Sequence, residues 1–139
     1  MPATARAHQE VLTVGPLEVV PDEHLAWVGD RALTLSVREL RLLTELARRA
    51  HRITPRQELF RLVWGREMRR GDRSVDVYVR KLRVKLEAVL PGWQFIHTHF
   101  GFGYRLSPEG PVGEAAERIG ARSTGAQGRA LVNGSFTAS

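Results

Sequence analysis

Residues 73–90 read RSVDVYVRKLRVKLEAVL, and the spacing of their apolar members decides what kind of domain this is. At about 100° per residue, Val75, Val79, Leu82, Leu86 and Val89 fall on one narrow face. The opposite face carries Arg73, Val77, Arg80 and Val84, with Lys81 on one shoulder and Arg83 nearer the other. One side of this predicted helix requires a core. The other presents fixed positive charge and two small aliphatic side chains. That division suits a helix lying in the DNA major groove, where guanidinium groups read base edges and aliphatic groups meet thymine methyls.

Two further helices are expected upstream. Ser36-Val37-Arg38-Glu39 is a capping box with Leu35 and Leu40 at hydrophobic-staple positions. Leu40, Leu43, Leu46, Ala47 and Ala50 supply the buried stripe that follows. Thr54-Pro55-Arg56-Gln57 predicts a second start, with Thr54 as N-cap and Pro55 at N1. Leu59, Phe60, Val63 and Trp64 then face the core, and Gly65 ends the helix. Asp72 or Ser74 caps the third helix, and Pro91-Gly92 terminates it. The seven residues Gly65 to Gly71 are long for a plain helix-turn-helix connection.

Outside this block the pattern changes to strands. Leu12 to Leu35 consists of short apolar runs broken by Gly15-Pro16, Pro21-Asp22 and Gly29-Asp30, which suits a three- or four-stranded antiparallel sheet. Gln94 to Leu106, QFIHTHFGFGYRL, reads as a hairpin with Gly101-Phe102-Gly103 at its tip. Residues 1–10 are expected to be a flexible arm. After Pro108 the composition collapses into Gly, Ala, Ser, Thr and Arg, so 108–139 is expected to be a disordered tail around a single domain at 11–107.

The 139 residues suffice for one domain with one core, and carry a formal charge of +6. The charge is localised. Ser36 to Leu90 holds 15 Arg and Lys against 7 Asp and Glu, while the remainder holds 6 basic residues against 8 acidic. A central basic block favours a polyanionic partner. There is no cysteine, so disulfides and thiolate metal sites are excluded. His97 and His99 share one strand face, yet two nitrogens fall short of a zinc site, and no metal or other cofactor is expected. No catalytic constellation or phosphate-cradling loop is present, which argues against an enzyme. No long apolar run predicts a membrane segment, and a cytoplasmic, nucleoid-associated protein is expected.

Five segments, in order, carry a resemblance: Leu35 to Glu39, Ile53 to Leu59, Val63 to Gly65, Arg73 to Leu86 and Gly101 to Leu106. Together they resemble the effector domain of OmpR/PhoB-type response regulators over roughly residues 12–107. The resemblance implies an α+β winged helix-turn-helix: an N-terminal antiparallel sheet, three helices and a C-terminal β-hairpin wing. It implies a bacterial transcription factor with its recognition helix at 73–90 and its wing at 94–106. Two copies on direct DNA repeats, head to tail, are implied too. The loop with Arg66, Glu67, Met68, Arg69 and Arg70 is, in that family, a segment that can meet RNA polymerase, although Arg69 and Arg70 are equally placed for DNA phosphate.

Two departures stand out. The family's N-terminal receiver domain is expected to be missing, because Met1 precedes the first strand by only a few residues. The family commonly has Thr-x-Arg-Gly before the wing; here the residues are Thr98-His99-Phe100-Gly101, so a phenylalanine replaces the wing arginine.

The expected DNA-contacting residues are Arg73, Val77, Tyr78, Arg80, Lys81, Arg83, Arg56, Thr98 and Arg105. Arg73 and Arg80 are the candidates for base edges. Val77 between them suits a thymine methyl, and Tyr78, Lys81 and Arg56 suit phosphates. Arg83 is equally placed to pair with Asp76. Arg105 suits a structural or phosphate role, and Thr98 the backbone near the wing. Phe100 and Phe102 either pack back on the sheet, the preferred expectation, or press against sugar. Two other functions remain open: a winged-helix adaptor binding RNA polymerase, and a non-specific architectural DNA binder.

Overall fold

A computed structural model describes residues 9–111. The first four apolar runs form one antiparallel sheet in sequential order: β1 (Leu12–Val14), β2 (Leu17–Val20), β3 (Leu25–Val28) and β4 (Arg31–Ala32). Its register pairs Leu17 with Val28 and Val19 with Ala26, and these four side chains are buried, while the Glu18–Trp27 pair between them faces the other way. This alternation is the period-two pattern of a sheet with one covered face.

Three helices follow, α1 (Val37–Arg48), α2 (Arg56–Trp64) and α3 (Ser74–Val89), and α1 packs on that sheet through β1. The capping box at the start of α1 is complete. Glu39 N–H donates to Ser36 Oγ at 3.1 Å and Ser36 N–H donates to Glu39 Oε1 at 2.8 Å. The buried stripe of α1 is wider than its spacing suggested. Leu42 is fully buried, whereas Ala50 is only half-buried. The reason is position: α1 packs on α2, α3, β1 and the second wing strand at once, so more than one face is covered.

The start of α2 differs from expectation. Pro55 is the N-cap, no side chain caps the helix, and Thr54 is buried in a β-bridge with Tyr104. The Thr54 N–H donates to the Tyr104 carbonyl at 2.8 Å and the Tyr104 N–H donates to the Thr54 carbonyl at 3.0 Å. A residue engaged on both sides by another strand is not free to cap. For α3, Asp72 is the acid that serves the start: its Oδ1 accepts from Ser74 N–H at 2.7 Å. Arg73 occupies the N-cap position.

The chain ends in an antiparallel hairpin, β5 (Gln94–His99) and β6 (Gly103–Glu109), with Ile96 opposite Leu106 and Thr98 opposite Tyr104. The strand β6 runs through Pro108 to Glu109, so the wing is longer than the expected 94–106. Proline is tolerated there because the strand is at an edge. The tip also differs. His99 to Phe102 form the turn, closed by Phe102 N–H donating to the His99 carbonyl at 2.8 Å, with Gly101 at φ 83. Gly103 already lies in the strand, opposite His99. A Cβ on Gly103 would overlap the Thr54 carbonyl oxygen and sit 2.9 Å from Pro55 Cα. The second glycine therefore permits close approach of two backbones and is not part of the reversal.

Sheet, three helices and hairpin together make the expected winged helix. Residues 1–8 of the expected arm and 112–139 of the expected tail lie outside the described residues. Glu10, counted in the arm, receives both Arg48 Nε at 2.9 Å and Arg48 Nη2 at 2.6 Å. Among the described residues no helix is long and apolar enough to cross a membrane.

Candidate nucleic-acid interface

The helix α3 divides as its sequence requires. Val75, Val79, Leu82 and Leu86 are buried in the core, at most 2% exposed. On the opposite side Arg73, Val77, Arg80, Lys81 and Val84 are exposed, the two valines by 46% and 64%. Burying four aliphatic side chains contributes about 1.5–3 kcal/mol each, which fixes the rotation of α3 and hence the outward direction of its cations. Among the described residues Arg80 has no ion-pair or hydrogen-bond partner, so its guanidinium is free. Lys81 Nζ sits 4.8 Å over the ring of Tyr78.

Tyr78 itself packs edge-on against Trp64, whose ring stacks on Phe60 at 4.8 Å. The ring thus locks α3 to α2, while its hydroxyl has no hydrogen-bond partner among the described residues. A second clasp between helices is Lys85. Its Nζ donates to Glu39 Oε1 and to the Thr34 carbonyl, each at 2.7 Å. Burial pushes the Glu39 carboxyl up, but the hydrogen bonds from Lys85 and Ser36 outweigh it and hold the group below its usual value.

The first turn of α3 contains a residue whose importance the sequence reading passed over. Asp76 accepts from Tyr104 Oη at 2.6 Å, from Arg56 Nε and Nη2 at 3.1 Å each, and from Arg73 Nη1 at 3.1 Å. Arg56 also donates to the Asp72 carbonyl at 3.3 Å. One carboxylate therefore joins α2, α3 and the wing. Partial burial favours the neutral acid, yet the Tyr104 hydrogen bond and the two arginines prevail and keep Asp76 below the ordinary carboxylate value. The available signal was a single acid between Arg73 and Arg80 on the basic face.

These bonds sort the expected contacts. Arg73 is 75% exposed and its pair with Asp76 is a surface pair, worth about 0–1 kcal/mol. A bidentate guanine contact discriminates by about 1–3 kcal/mol, so Arg73 is free to leave. Arg56 is held by three hydrogen bonds and can offer DNA only its remaining N–H groups. Arg83 and Thr98, both expected at DNA, are bonded to each other. Arg83 Nη2 donates to Thr98 Oγ1 at 2.7 Å and to the Ile96 carbonyl at 2.8 Å, with Nε on the same carbonyl at 3.2 Å. The shoulder of α3 bearing Arg83 packs on β5, and the alternative pairing with Asp76 does not form. Arg105 Nε donates to His99 Nε2 at 3.0 Å within the wing. His97 Nε2 is bonded to the Ser107 carbonyl at 2.8 Å, and among the described residues no group of three metal-ligating side chains occurs.

Phe100 and Phe102 do not pack back on the sheet. They are 88% and 72% exposed at the wing tip. A cleft of about 370 Å³ lies between them and the start of α3, lined by Arg56, Gln57, Arg73 and Asp76 on one wall and the tip residues on the other. In the 65–71 loop, Arg66 lies 4.8 Å over the Phe60 ring and Met68 packs on the core, while Arg66, Glu67, Arg69 and Arg70 are all exposed.

Comparison with known proteins places this geometry. Residues 30–106 match the family model described as "Transcriptional regulatory protein, C terminal". The alkaline phosphatase synthesis transcriptional regulatory protein SphR of Synechococcus elongatus is 38% identical over 96 residues, covering 69% of this chain and 37% of that protein. The transcriptional regulatory protein AfsQ1 of Streptomyces coelicolor is 46% identical over 76 residues, 55% of this chain and 34% of its own length. The alignments thus span little more than a third of those relatives. Among solved structures, the RstA DNA-binding domain of Klebsiella pneumoniae in complex with the RstA box superposes with a TM-score of 0.64. It shares 29% identity and covers 70% of this chain and 97% of that one.

Proposed function

We propose that this chain, which belongs to the family of transcriptional regulatory protein C-terminal domains, binds double-stranded DNA at specific sequences and regulates transcription there. The family is one of regulatory domains and not of enzymes. The observation that carries the reading is the outward row of Arg73, Val77, Arg80 and Val84 on a helix whose other side is buried. A helix held at a fixed rotation, with a free guanidinium at its middle, meets the requirement for reading major-groove edges. Lys81 supplies phosphate contact from the shoulder, and Arg105 and the unused N–H groups of Arg56 supply it from the wing and from α2. Arg83 and Thr98 act by holding the wing at its angle to α3.

Within the same reading, two copies occupy successive direct repeats head to tail, and the protein works in the cytoplasm at the nucleoid. The exposed part of the 65–71 loop is the surface offered to RNA polymerase, because Arg66 over Phe60 and Met68 on the core hold the loop while Glu67, Arg69 and Arg70 stay exposed.

Selection of bound duplexes from a random pool tests the proposal. An enriched sequence that outcompetes bulk DNA at matched salt is the expected result. Equal binding to all duplexes would leave a phosphate-only, architectural binder, and polymerase capture that survives Arg80→Ala without DNA binding would leave an adaptor.

A further inference from the structure

The wing tip combines features that the recognition helix does not explain. Phe100 and Phe102 are 88% and 72% exposed, although phenylalanine is among the residues most often buried. The tip residues 100–103 carry no charge, so they offer nothing to attract a phosphate. The hairpin that presents them is rigid. The turn is closed by the Phe102 amide, and immediately below it Gly103 lies against Thr54 and Pro55 while Tyr104 pairs with Thr54 through both backbone hydrogen bonds. Two aromatic rings are thus held in water on a braced support.

What faces them identifies the occupant. Across the cleft stand Arg73 at the start of α3 and Arg56 at the start of α2, two cations that share the single Asp76 carboxylate. On the DNA-binding reading above, on which this inference rests, α3 lies in a major groove. The strand of phosphates bordering that groove then runs along the cationic wall of the cleft, and the next groove beyond it is a minor groove. The wing tip is the part of the protein on that far side. We infer that Phe100 and Phe102 form an apolar wedge that enters the minor groove beside the major-groove site, lies against deoxyribose and partly unstacks a base step. Apolar side chains used in this way select flexible steps by the energy of deforming them, and bend the duplex away from the wedge. The wing of this protein therefore reads deformability, since its tip has no cation with which to read groove potential.

The experiment uses the full chain and the duplex selected from a random pool, with 2-aminopurine placed in turn at the flanking minor-groove steps. Wild type is compared with Phe100→Ala/Phe102→Ala and with Phe100→Leu/Phe102→Leu. The rings are mostly exposed, so thermal melting of all three is expected to coincide. The alanine pair should bind the selected duplex at least about tenfold more weakly, with the same dependence on salt because no phosphate contact is lost. Wild type should brighten the 2-aminopurine at one step, the leucine pair should do so in part, and the alanine pair should not. Selective wild-type binding that the alanine pair reproduces, with silent 2-aminopurine throughout, overturns the wedge and leaves the DNA-binding reading intact. A loss confined to two-site DNA assigns the rings to a second copy and also overturns it. Phe-dependent brightening on every duplex alike sustains the wedge while removing sequence-specific reading, and wild type that binds no duplex removes both.

Discussion

The Tyr104 hydroxyl donates to Asp76 Oδ1 at 2.6 Å, joining the wing to the first turn of the recognition helix. Because Arg56 and Arg73 meet the same carboxylate, one charge ties the wing to both α2 and α3. Asp76→Asn should destabilise the protein by roughly 1.5–3 kcal/mol at neutral pH, the range for hydrogen bonds to a charged group. The pH dependence follows from the lowered pKa. The carboxylate's contribution is complete above its ordinary 3.8 and is lost as pH falls through the still lower folded value. Urea melts at several acidic pH values should therefore show a flatter stability curve for Asp76→Asn than for wild type.

The same bond acts on its donor in the opposite direction. Burial first, then the Asp76 charge and hydrogen bond, push the Tyr104 phenol up to about 12. A raised phenol favours the folded state while it stays protonated. Its contribution is complete below the ordinary 10.0 and disappears as pH rises through about 12. Absorbance titration at a tyrosinate band in a Tyr78→Phe background should place the transition of Tyr104 near the upper value. In an Asp76→Ala variant the transition should move down.

Much of this molecule was legible before its structure, for reasons that can be named. Each helix of the trio carries a local signal: the Ser36–Glu39 box, Pro55 beside Arg56, and the aliphatic line from Val75 to Leu86. The outward row on α3 follows from that line, because hiding one face exposes the other. The remainder was hidden because it depends on contacts far apart in sequence. Thr54 looks like a cap until Tyr104 takes both its backbone groups. Arg83 reads as an outward cation, and only β5 shows that its guanidinium reaches Ile96 and Thr98. Asp76 gains its importance from Arg56 and Tyr104, 20 and 28 residues away. Phe100 and Phe102 alternate as strand residues should, but only the turn at His99 to Phe102 shows that both lie beyond the last covering element.

The two tip glycines should respond differently to substitution. Gly101 has nothing within 4 Å of a Cβ and only its φ of 83 resists one, so Gly101→Ala should cost about 1–2 kcal/mol. At Gly103 the new Cβ meets backbone, with the Thr54 carbonyl carbon at 2.7 Å, and backbone cannot turn aside as a side chain can. Gly103→Ala should exceed about 3 kcal/mol and weaken protection of the Thr54 and Tyr104 amides in hydrogen exchange. Equal costs at the two positions would remove the close-approach account.

Lys85 and Glu39 offer a test of how α3 is seated on α1. The Glu39 side chain is 6% exposed, so removing its cation leaves a buried carboxylate with only Ser36 to meet it. Lys85→Met should destabilise by roughly 1–3 kcal/mol, and Glu39→Gln in that background should cost less than it does alone. Ser36→Ala, which removes one cap hydrogen bond, should cost about 1 kcal/mol. Chemical denaturation of the four variants measures the coupling.

Three cations on α3 should separate in one titration. Arg80 is free and central, so Arg80→Ala should relax sequence preference, costing about 1–3 kcal/mol on the selected duplex and much less on others. Lys81 lies over Tyr78 at the shoulder, where it meets phosphate. Lys81→Ala should weaken all duplexes alike and make the salt dependence shallower by about one unit. Arg83 is bonded to Ile96 and Thr98, so Arg83→Ala should lower the melting temperature and leave the salt slope as it is. Binding titrations at two salt concentrations, with thermal melts of the same samples, distinguish the three. An Arg83→Ala variant of unchanged stability and reduced salt slope would return that guanidinium to the DNA surface and leave the wing held by Asp76 and the Thr54–Tyr104 bridge.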